Sequence, residues 1–168
     1  MRRVLIVGNS GGGKSTLARR LGEKLGLPVV HLDVLYWKPG WVESDDAPFR
    51  ADVTQALRGP AWICDGNFSS NWDIRMPLAD TIVWIAQPRL VCLARAIWRA
   101  VAYRGRRTRP DMAAGCDEKF DLEFYRYIWT YDAEVRPRLE AALQSYGAHA
   151  RVVRLRSDRE SAQFLAGA

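Results

Sequence analysis

Three cysteines, Cys64, Cys92 and Cys116, are too few and too irregularly spaced for a metal-ligand pattern, and an odd number leaves no complete set of disulfides. A reducing, cytoplasmic compartment is the expectation. No apolar run approaches the ~20 residues that cross a bilayer. Met1-Arg2-Arg3 leads directly into a strand of four apolar residues, so neither a membrane segment nor a secretory leader is expected. Internal repeats, low-complexity tracts, a helix-turn-helix signature, a zinc finger and an RNP motif are also missing, which removes the usual sequence evidence for a repeat scaffold or a nucleic-acid module.

The chain does have a core and a charge. Its 168 residues, 48% hydrophobic and 26% charged, suit one domain with a sizeable interior. A single domain spanning residues 1–168 is expected, with a lid insertion at about 103–120. The net charge of +6 leaves two partner classes open, a phosphate-rich small ligand or a nucleic acid. Arg95, Arg99, Arg104, Arg106, Arg107 and Arg109 form one basic group, and Arg151, Arg154, Arg156 and Arg159 a second. Arginine outnumbers lysine, which suits bidentate contact with phosphate or reflects composition alone.

The most specific stretch is Gly8-Asn9-Ser10-Gly11-Gly12-Gly13-Lys14-Ser15, which satisfies G-x-x-x-x-G-K-[ST] at every fixed position. Val4-Leu5-Ile6-Val7 before it has the composition of a buried parallel strand. After it, Leu17, Leu21 and Leu25 fall on one helical face until Gly26 and Pro28 end the helix. Glycines let backbone N–H groups converge on phosphate oxygens, and the helix N-terminus favours the same anion. In such a loop Lys14 reaches the β- and γ-phosphates of ATP and the Ser15 hydroxyl binds Mg²⁺.

Further along, Pro28-Val29-Val30-His31-Leu32-Asp33 reads as a second buried strand ending in an acid, where open α/β sheets bind their ligands. Residues 34–42 read as a loop holding Tyr36, Trp37, Lys38 and Trp41 around Pro39-Gly40. Its aromatics either cover an acceptor pocket or pack the loop onto the core. Residues 47–57 read as a helix. Ala61-Trp62-Ile63-Cys64-Asp65 is a third strand of Walker B form, whose carboxylate would hold the Mg²⁺ shell. Residues 69–76, with Asp73 and Arg75, form a short helix, and Thr81-Ile82-Val83-Trp84-Ile85 a fourth strand. In the helix opened by Pro88, Leu90, Leu93, Ile97, Ala100 and Val101 are expected on the buried face. Arg95 and Arg99 share the opposite one, as a solvated pair or as the approach to a basic lid.

Residues 103–117 lack apolar periodicity and have the arginine content of a lid closing over transferring phosphates. Residues 121–146 read as one long helix that Pro137 should kink or split. Its aromatics Phe124, Tyr125, Tyr127, Trp129 and Tyr131, with Phe120, read as core and lid support. Arg151-Val152-Val153-Arg154-Leu155-Arg156 is a fifth strand, and Ser157 caps a closing helix. The strand–helix alternation implies an α/β fold with a parallel sheet covered on both faces.

The N-terminal phosphate loop, the five strands and a basic lid between the fourth and fifth resemble the adenylate kinase-like nucleoside and small-molecule kinases. More narrowly, His31-Leu32-Asp33 with Tyr36-Trp37-Lys38-Pro39-Gly40-Trp41, Asp65-Gly66-Asn67-Phe68, and Thr108-Arg109-Pro110-Asp111-Met112 with Gly115-Cys116 are similar to the DNA topology modulation protein (FlaR-like) family of P-loop NTPases. The resemblance implies a three-layer P-loop fold of strand order 2-3-1-4-5. It implies ATP phosphates held by Gly8, Asn9, Ser10, Gly11, Gly12, Gly13, Lys14, Ser15 and Thr16. Arg95 and Arg156 would lie on the nucleotide, and Ser15 and Asp65 on Mg²⁺. Asp33, Trp37, Asn67 and Arg75 would meet a small-molecule phosphoryl acceptor, with Arg75 on its anionic group. Lys14, Asp33, Arg99 and Arg109 would be the catalytic set. Three activities follow as alternatives: an ATP- and Mg²⁺-dependent phosphotransferase, a nucleic-acid-binding regulator switched by ATP, and an ATPase without an acceptor.

Overall fold

The computed structural model describes residues 1–103, 111–117 and 119–168. β1 (Arg3–Gly8) alternates its side chains between the two faces of the sheet, Leu5 and Val7 to one cluster and Val4 and Ile6 to the other, all fully buried. It therefore occupies the middle of a five-stranded parallel sheet. β5 (Trp62–Asp65) and β2 (Val29–His31) lie on one side, and β6 (Thr81–Ile85) and β7 (Arg151–Leu155) on the other. Numbered among the parallel strands alone, the order is 2-3-1-4-5.

Helices cover both faces. α1 (Lys14–Leu25) and α8 (Asp158–Ala166) pack through Leu17, Ala18, Leu21, Phe164 and Leu165 against Val4, Ile6, Ile63, Val83 and Ile85. On the other face, α3 (Asp46–Ala56), α4 (Trp72–Arg75) and α7 (Arg136–Tyr146) bring Phe49, Val53, Trp72, Leu139 and Ala142 onto Leu5, Val7, Cys64 and Ile82. Burial pushes the Cys64 thiol up to about 11, so this cysteine is a small hydrophobe rather than a nucleophile. Lys24 at the end of α1 donates to the carbonyls of Leu165 and Ala166, closing the open end of α8. Ser157 caps the start of α8 by accepting from the Glu160 amide.

α5 (Arg89–Ala102) and α6 (Leu122–Glu134) form a third cluster through Cys92, Ala96, Tyr125 and Ile128, with α5 leaning on the phosphate loop. Here the expected helix face is corrected. Cys92, Ala96 and Ala100 are buried, whereas Leu90, Ile97 and Val101 are exposed. The reason is close approach: a Cβ on Gly11 would lie 2.2 Å from the Cys92 carbonyl oxygen, a separation that only small residues on α5 permit.

Two further expectations change. The second strand stops at His31 and is only half-buried at the sheet edge. Asp33 belongs to the first turn of α2 (Leu32–Tyr36) instead of the strand end. Residues 34–42, expected as a loop, contain the rest of α2 and a hairpin of β3 (Trp37–Lys38) and β4 (Val42–Glu43). Pro137 does split the long helix: α6 ends at Glu134 and α7 begins at Arg136, with Pro137 in the first turn, where its missing N–H costs no intrahelical bond. Among the described residues no helix is long and apolar enough to cross a membrane.

Candidate phosphate-binding site

The site forms where β1 gives way to α1. Gly8, Gly11 and Gly13 have φ of 140°, 78° and 99°, conformations that residues with a side chain rarely take. Gly8 also needs its missing Cβ for packing, since one there would sit 2.2 Å from the Ile85 carbonyl oxygen. The loop is thus pinned to β6 by Gly8 and to α5 by Gly11. Gly12 donates back to the Asn9 carbonyl, and the Lys14 ammonium crosses the loop to the same oxygen at 3.1 Å. Asn9 is itself buried, its amide bound to the Ile128 carbonyl of α6 at 2.9 Å. The first N–H groups of α1, with no partners inside the helix, open toward the space this loop encloses.

These features fit a nucleotide phosphate chain. The cradle is made of backbone, its width is set by absent Cβ atoms, and the lysine that completes it is held in place. Burial lowers the Lys14 pKa from its ordinary value of 10.5, while Asp33 and Asp65 pull it upward. An ammonium so placed gains from the arrival of phosphate. Ser15 and Thr16 begin α1, with Ser15 half-buried and Thr16 exposed; Ser10 is also half-buried.

Opposite the loop stand the ends of β2 and β5. Asp65, 4% exposed at its side chain, accepts from His31 Nδ1 at 2.5 Å, the two residues being register partners on adjacent strands. Burial works against a charge on His31. The Asp65 hydrogen bond and the carboxylates of Asp65, Asp111 and Asp33 outweigh it and raise the pKa. A cavity of about 40 Å³ lies between Ser15, Thr16 and Arg19 of α1 and His31 and Asp111. Among the described residues no three His, Cys, Asp or Glu side chains form a metal cage. The donor set fits a Mg²⁺ ion held by Ser15, phosphate oxygens and water, which is how Mg²⁺ usually binds in nucleotide sites. With one oxygen engaged by His31, Asp65 would meet such an ion only through its second oxygen or through a water.

Asn67 is a strut between elements: its Oδ1 accepts from the Gly8 amide at 3.0 Å and its Nδ2 donates to Tyr127 Oη at 2.8 Å. Arg75 requires a correction. It is wholly buried, and its guanidinium donates to the carbonyls of Gly66, Asn67 and Phe68 at 3.0, 2.5 and 3.1 Å. With its donors turned to that loop, it shapes the turn after β5 and has no face to offer an acceptor. Trp37 packs edge-on against Tyr36 and Trp41, with ring centroids 4.9 and 5.3 Å apart. The hairpin carrying them is fastened to residues 113–117: Gly40 donates to Gly115, the Trp41 indole to the Asp117 carbonyl, and the Cys116 thiol to the Lys38 carbonyl.

On the nucleotide side, Arg95 pairs with Asp158 at 2.5 Å, and Gln87 donates to the other oxygen of that carboxylate at 2.9 Å. Arg95 Nη1 also lies 4.0 Å from where a Gly13 Cβ would be, so this arginine stands over the phosphate loop. Arg99 faces the Phe124 ring, 5.7 Å from its centroid. Arg156 is exposed, and its backbone amide is tied to Glu160. Arg109 lies outside the described residues. Sequence reasoning had read Tyr127 only as core and lid support and His31 and Asp111 only as parts of family motifs, and it had given Asp158 no part. The first three would have required knowing which strand ends and helices meet, and Asp158 is 63 residues from its partner Arg95.

No protein-family model matches the chain, and no curated protein matches it. Among solved structures, a gluconokinase from Sinorhizobium meliloti 1021 matches 99% of this chain and 92% of its own, with a TM-score of 0.54 and 18% sequence identity. The likeness shows that the chain has the fold of a P-loop kinase, an α/β sandwich around a parallel sheet.

Proposed function

We propose that this chain is an ATP- and Mg²⁺-dependent phosphotransferase acting on a small molecule, in keeping with its motif resemblance to the FlaR-like proteins. The observation that carries the reading is the cavity with Ser15, Thr16 and Arg19 on one side and His31 and Asp111 on the other, because it sets a phosphate-loop helix across from a histidine and a carboxylate. A second wall of this kind is surplus to simple hydrolysis. The shared fold with a gluconokinase is in keeping with a small acceptor.

When bound, Mg·ATP supplies the phosphoryl group and neutralises part of its charge. The chain supplies position. The loop amides and Lys14 hold the phosphates, and Ser15 orients the metal. Arg95 and Arg99 line the entrance, with Arg109 assigned to the lid. Asp33, close enough to Lys14, His31 and Tyr127 to bias their protonation, orients an acceptor hydroxyl and takes its proton. If the acceptor is itself a phosphate, Asp33 has only the orienting part.

The test is ADP release from Mg·ATP with a panel of nucleoside monophosphates, nucleosides and hydroxylated metabolites. Stimulation by one acceptor class is expected, falling on the order of 10²–10³-fold or more in Lys14→Ala while the melting temperature holds. Slow, acceptor-independent hydrolysis would identify an ATPase. A basic surface favours one other reading: Arg151, Arg156 and Arg159 are exposed around β7 and the start of α8. A nucleic-acid regulator would use them, and its DNA affinity would fall steeply with salt yet persist at physiological ionic strength.

A further inference from the structure

α5 has three sides. Cys92, Ala96 and Ala100 face the interior, and Arg95 and Arg99 turn toward Asp158 and Phe124. The remaining side carries Leu90, Ala94, Ile97, Trp98 and Val101, which at 100° per residue fall within one stripe. It is apolar throughout and open: Leu90 is 64% exposed, Ile97 41%, Trp98 69% and Val101 72%. A solvent-facing helix side normally carries charge.

We propose that this outer face of α5 is the interface of a two-fold symmetric dimer of the chain. Its four large side chains expose on the order of 500 Å² of apolar surface. A standard interface buries about 800 Å² per partner, of which slightly over half, about 450 Å², is apolar. Buried in full, the stripe matches the apolar share of a standard interface. It is also self-complementary. An antiparallel two-fold axis between Ala94 and Ile97 sets Leu90 of one copy against Val101 of the other and brings the large Trp98 toward the small Ala94.

Other occupants fit less well. Residues 104–110 read Arg-Gly-Arg-Arg-Thr-Arg-Pro and hold no aliphatic or aromatic side chain except the proline ring to lay over the stripe. A helix lying on an anionic membrane keeps its basic side chains free beside the apolar face. Here Arg95 is paired with Asp158, Arg89 stacks on Trp129 at 4.1 Å, and Arg99 faces Phe124. Joining two such faces also desolvates no charge, since the stripe has none.

The experiment is sedimentation equilibrium of the full chain across a range of concentrations, beside Trp98→Glu and Val101→Glu. The chain should reach twice its own mass, and each substitution should weaken self-association about 30-fold or more, as loss of an interface hot spot does. Circular dichroism should stay native, because both side chains already face water. Two substitutions guard against either one failing to fold. A chain that stays monomeric at every concentration overturns the proposal, as does a dimer indifferent to both changes. Vesicles of phosphatidylserine and phosphatidylcholine supply the remaining arm: a monomer that co-sediments with them, and is released by Trp98→Glu, overturns the dimer in favour of a membrane surface.

Discussion

In the proposed function one wall of the site takes the nucleotide and the other the acceptor, and the two make their tight turns with different residues. On the nucleotide wall, tight backbone turns fall on Gly8, Gly11 and Gly13, where positive φ carries little strain. On the side proposed for the acceptor, in the β3–β4 hairpin and the turn after β5, Trp41 takes φ of 64° and Phe68 φ of 27°, conformations costly for side chains of that size. Surrounding contacts hold those two in place. Trp41 is fixed by its indole hydrogen bond to Asp117 and by Trp37, and Phe68 by Tyr36, Phe49 and the Arg75 guanidinium on its carbonyl. One wall is shaped by what its residues lack, the other by what they grip.

That contrast breaks most visibly at the glycines. Gly11→Ala should cost about 3 kcal/mol or more, because its Cβ meets a backbone oxygen that α5 cannot withdraw without moving the whole helix. Urea unfolding would measure it, and an alanine tolerated within about 1 kcal/mol would mean that the loop is not pinned to α5. The acceptor wall should yield next. Arg75→Ala removes a buried guanidinium and strands the carbonyls of Gly66, Asn67 and Phe68, for a loss of about 2–4 kcal/mol. An Arg75 variant of native stability and selectively raised acceptor KM would restore this residue to the acceptor.

How far each wall could be read from sequence follows from the same contrast. The glycines, Lys14 and Ser15 carry their geometry in their identity, so the loop, the strand before it and the helix after it were legible; alternation gave a parallel sheet covered on both faces, and the strand order came from the family resemblance. α5 misled because periodicity selects the largest apolar stripe, and here that stripe lies outside. The inner face has small residues for the close approach of Gly11, a requirement visible only once the loop and the helix are seen together. Asp33 moved off the strand because β2 ends at His31, and a run such as Val-Val-His-Leu-Asp-Val-Leu carries no mark of where extended backbone becomes helix. Arg75 was given its acceptor role by the family resemblance alone, and nothing local in the sequence announces three carbonyls turned toward it.

The His31–Asp65 pair joins β2 to β5 beneath the acceptor wall, and its contribution should depend on pH. The His31 pKa is raised above its ordinary value of 6.5 in the folded protein. The folded state therefore binds the proton more tightly than the unfolded one. The stabilisation is complete below about 6.5 and is lost as pH rises through the higher folded value. Urea unfolding in chelator-containing buffer should show wild-type stability declining above neutrality relative to His31→Gln, by less than the loss in Arg75→Ala. Parallel profiles for the two proteins would mean that the pair contributes nothing through charge.

The smallest expected effect tests whether side chains also help to shape the nucleotide wall. Asp158 holds Arg95 with one carboxylate oxygen and Gln87 with the other, and through Arg95 it governs what stands over Gly13. Its side chain is 72% exposed, so the pair itself adds little to stability. In the proposed function its value is orientation: an arginine already held over the loop would lose less rotamer freedom on meeting phosphate. Asp158→Asn keeps the size and one acceptor oxygen but drops the charge. It should leave the unfolding midpoint unchanged and weaken Mg·ATP binding about three- to tenfold, the usual range for a lost orienting contact of about 1 kcal/mol. Asp158→Glu should recover part of that loss. If Asp158→Asn instead binds Mg·ATP more tightly, the carboxylate competes with phosphate for Arg95, and the nucleotide wall relies on its backbone alone.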